Sequence, residues 1–80
     1  MATRRVHLTF NKEKVKEPVI WQVGQEFNLT MNIRRADVQP DMGWVELEID
    51  GEDEALDKAL KTFEDRGVRV DPIELQTMTG

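Results

Sequence analysis

Eighty residues carrying a net charge of −5 and no cysteine describe one small acidic domain with no disulfide framework, no iron–sulfur ligation and no thiol nucleophile. The single histidine cannot make a typical zinc site alone, the pI near 4.8 opposes nucleic acid, and no apolar span of about 20 residues offers a membrane crossing. A hydrophobic fraction of 39% supports one core, but a chain this short buries only about 60% of what its unfolded form exposes, so self-association is expected.

Met-Ala-Thr-Arg-Arg at the start is not a secretory signal, so the chain reads as cytoplasmic and the Asn28-Leu29-Thr30 sequon as accidental. Arg5-Val6-His7-Leu8-Thr9-Phe10 then alternates as a strand, with Val6, Leu8 and Phe10 inward and Arg5, His7 and Thr9 outward. His7 has no neighbour that makes it a base or a ligand and reads as a surface histidine. A charged linker follows, and the pattern predicts a helix starting within a few residues of Glu13, with Pro18 tolerated in its first turn. Val15, Val19, Ile20, Val23 and Phe27 fall within an arc of about 140°, which makes them the core stripe and puts Trp21 on the opposite side. Asn28 ends the helix, since asparagine tolerates the left-handed conformation better than most residues.

Leu29 to about Val38 reads as a second strand, with Leu29, Met31 and Ile33 inward and Thr30, Asn32 and Arg34 outward. Its alternation falters past Arg34, which predicts a bulge or an overhang there. Across the Gln39-Pro40-Asp41-Met42-Gly43 turn, Trp44 to Ile49 returns as an antiparallel strand with Val45, Leu47 and Ile49 inward. Asn32, Arg34, Trp44, Glu46 and Glu48 are then expected to share the uncovered sheet face, where Arg34 pairs with Glu46 or Glu48 or holds a ligand carboxylate.

Acidic residues from Asp50 to Glu54 suit the start of a second helix, whose stripe is Ala55, Leu56, Ala59, Leu60 and Phe63 and whose end is Arg66-Gly67, a basic last turn and a glycine cap. An acidic helix start explains Glu52-Asp53-Glu54 better than a cation site, because a calcium loop needs alternating oxygen ligands. Val68-Arg69-Val70 is the last strand; Asp71-Pro72 is expected to break its ladder, with Ile73-Glu74-Leu75 as an edge extension. Strand, helix, strand, strand, helix, strand is the order of an α+β ferredoxin-like sandwich: a four-stranded antiparallel sheet with two helices on one face and the other face open. Residues 1–80 form one domain, with an ordered core of about 4–75.

Val6-His7-Leu8-Thr9-Phe10, Glu17-Pro18-Val19-Ile20, Asn32-Ile33-Arg34-Arg35-Ala36-Asp37, Gly43-Trp44-Val45-Glu46-Leu47-Glu48 and Gly67-Val68-Arg69-Val70, in that order and spacing, resemble the NIL domain. This is the ferredoxin-like module at the C-terminus of bacterial methionine-importer ATPases, known also in stand-alone and ferredoxin-fused forms. The chain departs from the family's Asn-Ile-Leu signature at Arg34, which puts a charge at an apolar position and bears on ligand preference. In the transporter members the domain pairs with a second copy and binds methionine near that interface. By resemblance, Asn32 is the ligand contact, with Met31, Ile33 and Arg34 as its strand neighbours. These 80 residues contain neither a phosphate loop nor cysteines for a fused cluster.

No nucleophile–base pair or metal cluster appears, so the expected function is not enzymatic and needs no cofactor. The leading expectation is a regulatory module sensing methionine or a related sulfur metabolite, as a homodimer. The alternative is a protein-interaction adaptor with no small ligand, using Trp21 or the open sheet face around Trp44, since tryptophan is enriched at interface hot spots. Single-stranded RNA binding ranks third, because only Trp44 offers a stacking platform and the net charge has the wrong sign.

Overall fold

The computed structural model describes residues 2–14 and 17–73. Strand β1 (Ala2–Phe10) and strand β3 (Gly43–Gly51) are the central pair of a four-stranded sheet ordered β2-β3-β1-β4, with every neighbouring pair antiparallel. The sequence of β3 dictates its position: Val45, Leu47 and Ile49 are buried between the half-buried Trp44, Glu46, Glu48 and Asp50. Such strict alternation belongs to a strand with one face on the core and one towards water. Val6, Leu8 and Phe10 of β1 add to the same inner layer.

Helix α1 (Val19–Phe27) and helix α2 (Asp53–Asp65) cover that layer, burying Val19 and Val23 from one and Leu56, Ala59 and Phe63 from the other. Ile20, Phe27 and Leu60 pack at the margin of the core. Two arginines fasten the helices from outside. Arg66 bridges to Glu26 at 2.8 Å, and Arg4 at the sheet end reaches Asp57 at 3.1 Å and Asp53 at 3.7 Å. Arg66 lies just past α2, not in its last turn, so it ties the two helices together instead of neutralising one helix end.

Both helices end the same way. After α1 the amide of Leu29 donates to the carbonyl of Gly24 at 2.9 Å, and after α2 that of Val68 donates to Phe63 at 2.9 Å. Each closure needs one left-handed residue, supplied by Asn28 (φ 54°) and Gly67 (φ 87°). Asn28→Val is therefore expected to destabilise the domain by about 1–2 kcal/mol, the cost of forcing a side-chain-bearing residue into that region, while Asn28→Gly preserves or raises stability. Urea unfolding of the two variants checks this, and equal midpoints would contradict it.

Helix α1 starts later than the charged linker suggested. The side chain of Asn11 accepts the amides of Glu13 at 3.1 Å and Lys14 at 3.0 Å, the pattern of a helix N-cap, but the turn it caps over residues 12–14 is short and separate from α1. Proline disfavours helical geometry in the residue before it, so α1 begins only at Val19, after Pro18. Val15 lies outside the described residues. Strand β4 also differs, running Arg69–Pro72 with Pro72 opposite Val6. The next amide, Ile73, donates to the carbonyl of Arg5 at 2.9 Å. Donors alternate sides along an antiparallel strand, so the nitrogen of Pro72 faces away from β1 and the ladder passes it without losing a bond. Glu74 and Leu75 lie outside the described residues.

Candidate functional site

Strand β2 (Thr30–Val38) lies at the sheet edge, and period-two geometry divides its residues between two unlike surfaces. Thr30 and Asn32 stand opposite Asp50 and Glu48 on the open face, while Met31 and Ile33 stand opposite Ile49 and Leu47 on the helix face. The register breaks between Ile33 and Arg35, as the faltering alternation predicted. The extra residue is Arg34, after which Arg35 and Asp37 rejoin the open side and Ala36 and Val38 the helix side.

The open face is occupied largely by its own contacts. Thr3 donates to Asp50 at 2.6 Å, Arg5 pairs with Glu48 at 2.7 Å, and Arg35 reaches Glu46 at 3.5 Å. His7 stacks on Trp44 with ring centroids 5.2 Å apart and planes 18° from parallel, and the Arg35 guanidinium stands 6.0 Å from the Trp44 ring centre. Arg34 thus does not make the expected pair with Glu46 or Glu48. The bulge displaces it, Arg35 and Arg5 take those carboxylates, and Arg34 is exposed without an ion pair among the described residues. His7 is a surface residue with a partner, since its ring covers one side of Trp44.

On the other side, α1 and the outer half of β2 do not close on each other. Between them runs an apolar groove of about 530 Å³ whose lining includes Phe10, Val19, Ile20, Trp21, Gly24, Leu29, Met31, Ile33 and Val38. Its existence follows from topology: an edge strand that projects past the helices carries inward-facing side chains with nothing above them. Ile33, expected in the core, is on the core side by parity but 58% exposed, and Val38 is 61% exposed for the same reason. Trp21, turned away from the helix stripe as expected, is 65% exposed and forms part of the groove wall.

Gly24 sets the depth of this groove. It is buried in α1, and a Cβ there would stand 3.1 Å from Cγ of Met31, so its absence lets the helix approach β2 closely at the groove floor. At the mouth, Lys14 pairs with Glu17 at 3.1 Å. The arrangement can enclose an apolar group beside two opposite charges. Among the described residues, no three of His, Asp and Glu are grouped to hold a metal, and no helix is long and apolar enough to cross a membrane.

The structure therefore brings together Met31, Ile33 and Trp21, and puts Asn32 with Trp44 on the opposite surface. The groove residues Gly24, Val38, Lys14 and Glu17 were not singled out as a site in the sequence. Apolar Ile33 and Val38 on what proves to be an edge strand were the available signal, readable only with the strand order known.

Four antiparallel strands in the order β2-β3-β1-β4, under two helices, define a ferredoxin-like domain. A family model described as the NIL domain matches residues 4–72. The chain belongs to the NIL domain family. Among solved structures it is similar to the C-terminal domain of an ABC transporter ATP-binding protein from Enterococcus faecalis, with a TM-score of 0.80 and 22% identity over 90% of this chain and 84% of that one. The de novo designed protein Ferredog-Diesel is similar with a TM-score of 0.50 and 20% identity, covering 88% of this chain and 84% of its own. Both likenesses concern the fold. No curated protein matches the chain.

Proposed function

We infer that this domain is a non-catalytic, cytoplasmic regulatory module that binds an apolar amino acid of the methionine type in the groove between α1 and β2. The groove itself carries the reading: about 530 Å³ lies within the range of small-ligand sites, and its walls are aliphatic and aromatic with a few polar groups at the rim. Family membership supports a regulatory role. The similar Enterococcus faecalis domain is the C-terminal domain of an ABC transporter ATP-binding protein, and the resemblance to the NIL modules of methionine-importer ATPases suggests the ligand. Met31 contributes a flexible, polarizable floor, and thioether contacts with an aromatic ring such as Trp21 favour a sulfur-containing side chain over a branched one.

The groove opens beside the unpaired edge of β2, so a second copy of the chain joining at that edge is the dimer we associate with this function. Ligand binding at such a border couples occupancy to assembly and gives a module without chemistry of its own a way to signal. A second reading, a protein adaptor, draws on the exposed Trp21, Ile33, Val38 and Met42, which a partner protein can also cover.

Asn32→Ala separates the groove from a site on the open face. Calorimetric titration of this variant with methionine is expected to give an affinity within about two-fold of the parent, because removing a surface side chain remote from the ligand changes little. A loss of binding in a folded Asn32→Ala domain would move the site to the other side of the sheet. Silence of the parent towards methionine, with capture of a protein at Trp21, would favour the adaptor.

A further inference from the structure

We propose that the Lys14–Glu17 pair at the groove mouth recognises the zwitterionic head group of the bound amino acid, Glu17 receiving its ammonium and Lys14 its carboxylate. The proposal rests on the groove reading and adds to it the two residues that hold the head group and set the direction in which the amino acid lies. Both residues line the groove, and their charged ends meet 3.1 Å apart, so the two charged residues among the described lining stand side by side with opposite signs. An α-amino acid carries the same two charges on adjacent groups. Laid antiparallel to the Lys14–Glu17 pair, it completes a square of alternating charge in which each ion gains a second opposite neighbour.

Other apolar ligands fit this rim less well. A fatty acid brings a carboxylate towards Glu17 without an ammonium to offset it, and an aliphatic amine brings a cation towards Lys14 with the same defect. The pair is also partly preorganised. The side chain of Lys14 is 28% exposed and packs with its stem beside Gly67, whereas Glu17 is 48% exposed and accessible to an arriving ammonium. Because Lys14 and Glu17 stand before α1, outside the buried core, their substitution leaves the fold intact and the effect can be read as binding.

The test is an amide NMR titration of the full chain with three probes: methionine, methionine amide, which lacks the carboxylate, and N-acetylmethionine, which lacks the ammonium. The parent is expected to bind methionine more tightly than either analogue by roughly three- to five-fold each, the range of a partly exposed ion pair. Lys14→Met should weaken methionine and abolish the preference over methionine amide, and Glu17→Gln should abolish the preference over N-acetylmethionine. Equal affinity of the parent for all three, with shifts still at Met31 and Ile33, would overturn the head-group assignment and leave the groove reading standing. Absence of shifts with every probe would overturn the groove reading and this proposal with it.

Discussion

Phe63→Ala is expected to remove about 3–5 kcal/mol of stability, most of what an 80-residue domain possesses. Phe63 is wholly buried, it is the largest of the fully buried side chains, and it joins α2 to the inner layer of the sheet formed by Leu8, Leu47 and Ile49. Truncating it leaves a void that backbones held by four strands and two capped helices can only partly collapse. Its carbonyl also accepts the Val68 amide that closes the helix end, so relaxation of α2 there would disturb the entry to β4. Urea unfolding followed by circular dichroism measures the loss. A change below about 1 kcal/mol would contradict the placement of Phe63 at the centre of the core.

Ile33→Glu is expected to reduce methionine affinity by at least about ten-fold while leaving the unfolding midpoint nearly unchanged. The two halves of this expectation come from one observation: Ile33 faces the helix side of the sheet yet is 58% exposed, so it serves the groove more than the core. Removing its contact with an apolar ligand and placing a carboxylate in the wall both oppose binding, and a lost or repelled apolar side chain in a pocket is worth about 1–3 kcal/mol. The fold tolerates the change because an exposed edge position pays little to carry a charge, and edge strands are often charged. Calorimetric titration and urea unfolding of the same variant measure both effects. Unchanged affinity would remove β2 from the site, and collapse of stability would return Ile33 to the core.

The strands, both helices and the sheet class were readable because each signal is local. Val45, Leu47 and Ile49 alternate with polar residues, Asn28 and Gly67 mark left-handed closures, and Leu56, Ala59 and Phe63 recur at helical spacing. Local pattern and structure part where side chains or sheet edges intervene. Asn11 caps a short turn that Pro18 separates from α1, and Pro72 is harmless only because its nitrogen faces the free side of an edge strand. Parity pairs Arg34 with Glu46 or Glu48, but the bulge takes it out of register and those carboxylates go to Arg35 and Arg5.

The candidate site was legible in part. Met31 and Ile33 belong to the groove, but treating Met31 through Arg34 as one locus ignored that a strand sends successive side chains to opposite faces. The groove depends on three facts that no single segment contains: β2 lies at the edge, α1 begins as late as Val19, and Gly24 permits the close approach to Met31. Helical spacing predicts that Trp21 is exposed but not that it walls a cavity, because the opposite wall comes from another element.

The most direct measurement is a two-dimensional amide NMR titration of the chain with methionine. Ligand in the groove predicts saturable shifts concentrated at Trp21, Gly24, Met31 and Ile33, with His7 and Trp44 nearly still. Shifts confined to His7, Asn32 and Trp44, or no shifts at millimolar methionine, would contradict the groove as the site.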